Sequence, residues 1–91
     1  MAKDTRIIHI QNKLGLHARA SAKLAAEANR FEAAITLIND DIEVNCKSIM
    51  GIMMLAACKG TDLQLRAEGE DAEAALTAIL ALVNDRFGEA Q

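Results

Sequence analysis

Proline, tryptophan and tyrosine are absent from this 91-residue chain, and two phenylalanines are its only aromatics. Modules that read single strands or RNA loops stack bases on exposed aromatic platforms, so nucleic acid is not an expected partner. Cysteine is scarce as well. Cys46 and Cys58 fit neither a CxxC redox pair nor a zinc-ligand spacing, which reads them as reduced, structural thiols with no metal site implied. No stretch of 18 apolar residues occurs, and positions 1–5 are charged and run straight into strand-like sequence, unlike a secretory leader. The expectation is a cytoplasmic protein without direct membrane contact. Linkers, internal repeats and low-complexity segments are also missing, so residues 1–91 read as one domain with a thin core, burying about 60 to 70% of its unfolded surface.

What is present is aliphatic: apolar residues make up 52% of the chain against 2% aromatic, so Leu, Ile, Ala and Met must build the core. The net charge of −3 conceals a segregation. Lys13, Arg19 and Lys23 fall in residues 12–26 with no acid among them, whereas residues 68–91 carry Glu68, Glu70, Asp71, Glu73, Asp85 and Glu89 against Arg86 alone. A locally basic end of this kind steers phosphate or acidic partners, or is simply a solvated face.

Periodicity orders the elements. Residues 6–11 alternate as a strand with Ile8 and Ile10 on one parity and Ile7 and His9 on the other, placing His9 on the surface. A helix follows from Ala18 to about Asn29 or Arg30, with Ser21, Leu24, Ala25, Ala28 and Phe31 as its buried stripe. Strands at 34–39 and 42–46 flank Asn39-Asp40-Asp41, a hairpin turn without glycine, and Ile35, Leu37, Ile42, Val44 and Cys46 are the expected inward positions. Residues 48–57 form a second helix, capped by Ser48 and apolar around its circumference. Ile52, Leu55 and Ala56 make a core stripe; Ile49, Met50 and Met53 are left as a candidate exposed patch for partners, although a short helix buried all round fits the pattern too. A strand at 62–68 buries Leu63, Leu65 and Ala67, and a last helix capped by Asp71 runs from Ala72 through Phe87 to close at Gly88. The order βαββαβα suits an α+β open-faced sandwich, a four-stranded antiparallel sheet with three helices on one face.

The stretch that carries chemistry is Asn12-Lys13-Leu14-Gly15-Leu16-His17-Ala18-Arg19-Ala20. It sets His17 between a strand's end and a helix's start. The first backbone N–H groups of a helix lack intrahelical partners and carry roughly +0.5 charge, so they bind phosphate. Ala18 and Arg19 would supply those amides, and the Arg19 guanidinium adds a fixed charge and forked donors. His17 thus reads as a residue that accepts and passes on a phosphoryl group.

With Gly15-Leu16-His17-Ala18-Arg19 at the first helix and Lys47-Ser48-Ile49-Met50-Gly51-Ile52-Met53 at the second, the chain resembles the HPr family of histidine-containing phosphocarriers of the bacterial phosphoenolpyruvate-dependent phosphotransferase system, over about residues 7–87. The family pattern has proline where this chain has Ala20, so a looser first turn is expected with the histidine retained. The resemblance implies transfer from phosphorylated enzyme I to one ring nitrogen of His17, the pros nitrogen, then onward to a histidine of a IIA-type acceptor protein. It implies a second modification at Ser48, by HPr kinase/phosphorylase where that enzyme exists; from the residues alone Ser48 is a plain helix cap. It implies docking through Ile49, Met50, Met53 and Lys23, a monomer, and no cofactor. No paired carboxylates or nucleophile-and-base set accompany His17, which reads as a substrate of enzymes rather than an enzyme. The Lys47 to Gly51 run leans toward the general sugar-transport carrier over the nitrogen-related regulatory branch, and a small metal- or RNA-binding α+β module is the reading from another class.

Overall fold

A computed structural model describes residues 3–91. Its elements are β1 (Lys3–His9), α1 (Ala18–Ala28), β2 (Ala34–Asn39), β3 (Ile42–Asn45), α2 (Ile49–Met54), β4 (Asp62–Glu68) and α3 (Ala72–Asn84), followed by a short 3₁₀ turn at Arg86–Gly88. The strands pair antiparallel throughout in the order β1-β4-β2-β3, and the three helices cover one face. On β4 the alternation settles the sides: Leu63, Leu65 and Ala67 are buried beneath the helices, while Gln64 and Glu68 face out. Ile8, Ile35 and Leu37 join them from β1 and β2, and Leu24, Ile52, Leu76, Ile79 and Val83 close the core from above.

Several boundaries differ from expectation for identifiable reasons. The first strand runs Lys3–His9 instead of 6–11, because its register with β4 pairs Lys3 with Glu68 and His9 with Asp62; backbone pairing, which ignores side-chain polarity, recruits the charged residues 3–6. His9 faces solvent as expected, beside Asp62. Phe31 is only partly buried, and Ala20 takes a place in the buried stripe of α1. At the hairpin, Asp40 adopts φ 55°, a left-handed conformation that short polar side chains tolerate, so the turn closes without glycine. Ile42 and Val44 are correctly on the inner parity, opposite Asn39 and Leu37, yet Ile42 is exposed and Val44 only partly buried. β3 is an edge strand, and parity alone does not bring a helix over it.

The second helix is shorter than 48–57. Ala56, at φ 50°, stands in the left-handed region, so Ala56 is exposed and Ala57 is buried in its place. The last helix stops at Asn84, because Arg86 and Phe87 both have φ 55°; Phe87 still reaches the core, but from the 3₁₀ turn. Asp71 makes no side-chain cap. Its two carboxylate oxygens instead accept from the N–H groups of Glu32 and Ala33, each at 2.8 Å, and these bonds, that of Glu32 foremost, hold its carboxyl below the usual range. Cys46 and Cys58 are free thiols, and burial pushes Cys46 up to about 12. No helix among the described residues is long and apolar enough to cross a membrane.

Candidate functional site

The loop between β1 and α1 is shaped by Asn12 and Gly15. Gly15 has φ +67°, and a Cβ there would lie 2.5 Å from the carbonyl oxygen of Ala57, so both its conformation and its neighbour demand glycine. The close approach lets Leu16 N–H bond Ala57 O at 2.9 Å, which ties the loop to the chain leaving α2. Asn12 is fully buried and its Nδ2 donates to Gly15 O at 2.8 Å. His17 thereby becomes the N-cap residue of α1, extended at φ −74° and ψ 178°.

The first α-helical bond runs from Ser21 N–H to His17 O at 2.8 Å, so the N–H groups of Ala18, Arg19 and Ala20 have no partner within the helix. The His17 side chain makes no cap bond and is 24% exposed. It lies in an open cleft of about 340 Å³ lined by Lys13, Leu14, Arg19, Glu89 and Gln91. The geometry expected from the sequence is therefore present: an accessible imidazole at the positive end of a helix, with Arg19 in the same cleft.

Sequence reasoning missed Glu89. Its carboxylate binds two groups, Asn12 Nδ2 at 2.9 Å and His17 Nε2. The Asn12 amide, and after it the ring of His17, holds the Glu89 carboxyl below the usual carboxylate range. The basic segment and the acidic end of the chain, separate in sequence, thus meet at His17. Asn12 stood in the motif without an assigned role. A signal for Glu89 was not available, since it lies 72 positions from its histidine partner.

The patch on α2 is exposed, which removes the alternative of a helix buried all round. Ile49 is 44% exposed, Met50 74% and Met53 42%, and Met54, which was not anticipated, adds a further exposed apolar side chain on the same helix. Ser48 caps α2 through its hydroxyl, which accepts from Gly51 N–H at 3.0 Å. Lys23 is exposed, with its ammonium donating to Phe87 O at 2.7 Å.

Residues 5–85 match the family described as the PTS HPr component phosphorylation site. The chain belongs to the HPr family. Among its HPr relatives, that of Neisseria meningitidis serogroup A is 49% identical over 84 residues, covering 92% of this chain and 94% of the relative. The phosphocarrier protein NPr of Shewanella violacea is 46% identical over 90 residues, with 99% of both chains covered. Among solved structures, an HPr from Thermoanaerobacter tengcongensis superposes with a TM-score of 0.90 at 43% identity over the whole of both chains, and one from Bacillus anthracis with 0.86 at 44%, covering 91% of this chain and 99% of the other. The open-faced sandwich is the fold of these HPr structures, and the family's role is that of a phosphotransferase-system phosphocarrier.

Proposed function

We propose that His17 accepts a phosphoryl group on its pros nitrogen, Nδ1, from phosphorylated enzyme I and passes it to a histidine of a IIA-type acceptor. The observation that carries this reading is the ring's place at the start of α1, in one cleft with Arg19 and beside the amides of Ala18 and Arg19, which lack helical partners. A neutral imidazole carries a lone pair on one ring nitrogen, and that nitrogen is the one able to attack phosphorus. Helix-end stabilisation of an anion contributes only about 0.3 to 2 kcal/mol. At about 1.4 kcal/mol per tenfold, that shifts the equilibrium by less than about 30-fold. Weak retention suits a carrier, because the group must also leave. Incubation with enzyme I and phosphoenolpyruvate tests the reading: the parent gains one acid-labile phosphate and His17→Ala gains none. Labelling that survives in His17→Ala would refute it.

Ile49, Met50 and Met53, with Lys23 as a charged contact from α1, serve as the docking surface for both protein partners. The protein acts in the cytoplasm as a monomer and is a substrate of enzymes. Ser48 lies beside this patch, so a phosphate added there by an HPr kinase/phosphorylase brings about −1.5 to −2 charge to a surface that a partner must desolvate. Ser48→Asp is expected to raise the enzyme I concentration needed for half-maximal transfer about tenfold, the equivalent of about 1.4 kcal/mol. Its melting temperature should barely move, since aspartate caps a helix as well as serine does. Parental transfer kinetics in this variant would remove Ser48 from the docking account. The run Lys47-Ser48-Ile49-Met50-Gly51 favours the sugar-transport carrier over the nitrogen-related branch, for which the match to NPr is the supporting observation.

A further inference from the structure

The two nitrogens of an imidazole compete for one proton in the neutral ring, and the hydrogen bond made by one decides the state of the other. In His17 only Nε2 is engaged among the described residues, and its partner is a carboxylate. An ionised carboxylate only accepts hydrogen bonds, so this contact requires the proton on Nε2. Nδ1 then carries the lone pair. Covalent geometry puts Nδ1 nearer the residue's own backbone, while Nε2 is the distal atom.

The carboxylate is held from several sides. Oε1 accepts from Asn12 Nδ2, and Asn12 is itself fully buried and bonded to Gly15 O. Glu89 N–H bonds Arg86 O at 2.9 Å, closing the 3₁₀ turn, and that turn is pinned by the buried Phe87 ring and by Lys23 on Phe87 O. The Glu89 side chain is only 14% exposed. Glu89, far from His17 in the sequence, is thus braced against the loop that presents the histidine.

We propose that Glu89 is a positioning residue for phosphoryl transfer: its carboxylate holds His17 in the Nε2–H tautomer and so makes Nδ1 the nucleophile. The inference rests on His17 being the acceptor. In the transfer, the N–P bond of a donor phosphohistidine breaks and leaves its electron pair on the donor ring. The Nδ1 lone pair of His17 forms the new N–P bond. The Nε2 proton stays in place, so the phosphorylated ring becomes an imidazolium whose positive charge faces the Glu89 carboxylate. A hydrogen bond between neutral and charged partners becomes one between two ions, which is stronger in the phosphorylated state than before transfer.

The test compares the parent, Glu89→Gln and Glu89→Ala by the ring ¹⁵N shifts of His17 in the free protein and by the rate of phosphate uptake from enzyme I and phosphoenolpyruvate. Thermal melts confirm that all three are folded. The parent should show protonated Nε2 and bare Nδ1. Glu89→Ala should show mixed tautomers and take up phosphate about tenfold more slowly, the size of one charge-assisted hydrogen bond. Glu89→Gln, which keeps one acceptor oxygen but has two donors to satisfy and no charge, should recover part of both. An unchanged tautomer with unchanged uptake in Glu89→Ala overturns the inference and leaves His17 as acceptor, and so does faster uptake, which would make Glu89 a shield. A parent that takes no phosphate overturns the acceptor reading instead; the ¹⁵N measurement needs no partner protein and still judges the contact.

Discussion

Replacing Gly15 by alanine is expected to cost the domain about 2 to 4 kcal/mol and to slow phosphate uptake at His17 severely. The backbone there stands at φ +67°, where an L-residue is strained by about 1 to 2 kcal/mol. The larger contribution is steric. The new methyl would meet Ala57 O at 2.5 Å and Cys58 Cα at 2.8 Å, both backbone atoms that cannot turn aside as a side-chain tip would. The loop must therefore lift from the chain leaving α2, breaking the Leu16 N–H to Ala57 O bond and carrying His17 away from Glu89. Urea unfolding with the ¹⁵N spectrum of His17 checks both halves. A variant with parental stability and a parental ring spectrum would show that the close approach has no part in shaping the site.

Phe87→Ala should have the largest effect on stability, about 3 to 5 kcal/mol for the loss of a fully buried ring. Against a typical total of about 5 to 15 kcal/mol, that is a large share. For a domain of this size the melting temperature should fall by about 15 °C or more. The variant also reaches the site. Arg86 and Phe87 both stand at φ 55°, a conformation costing each about 1 kcal/mol or more, and burial of the ring is what holds the turn in it. Without the ring the turn relaxes and Glu89 leaves His17, so the Nε2–H tautomer should be lost even below the melting temperature. Phe87→Leu, which keeps most of the apolar volume, should retain the tautomer. If Phe87→Ala melts with the parent, the 3₁₀ turn is not anchored by its ring.

Where the chain could be read and where it could not follows from the range of the interactions concerned. Helix α1 and its capping histidine were legible because capping is local: the residue, the orphan amides and the arginine lie within three positions. Strand β4 was legible to the residue, since its alternation is unbroken and both ends are marked by polar residues or glycine. The burial of Ile42 and Val44 was misjudged because alternation gives the side of a sheet and not the extent of the helices lying on it. The ends of α2 and α3 were misjudged because Ala56, Arg86 and Phe87 enter the left-handed region, which neither alanine nor phenylalanine announces. Asp71 was read as a cap from its position before a helix, whereas its carboxylate satisfies two amides 38 and 39 residues away.

Periodicity, a capping serine, and a histidine set before an arginine at the start of a helix were enough to determine the order of elements, most of the core, the histidine at the N-terminus of α1 and the apolar helix α2. The neighbourhood of that residue was decided by the folded chain alone. Linear charge counting put His17 in a purely basic segment, while the C-terminal turn brings a carboxylate onto its Nε2. Capping and alternation act within a few residues and so are written in order along the chain. The pairing of Glu89 with Asn12 and His17 depends on where α3 ends and how Phe87 packs, and a string of residues carries no local mark of either.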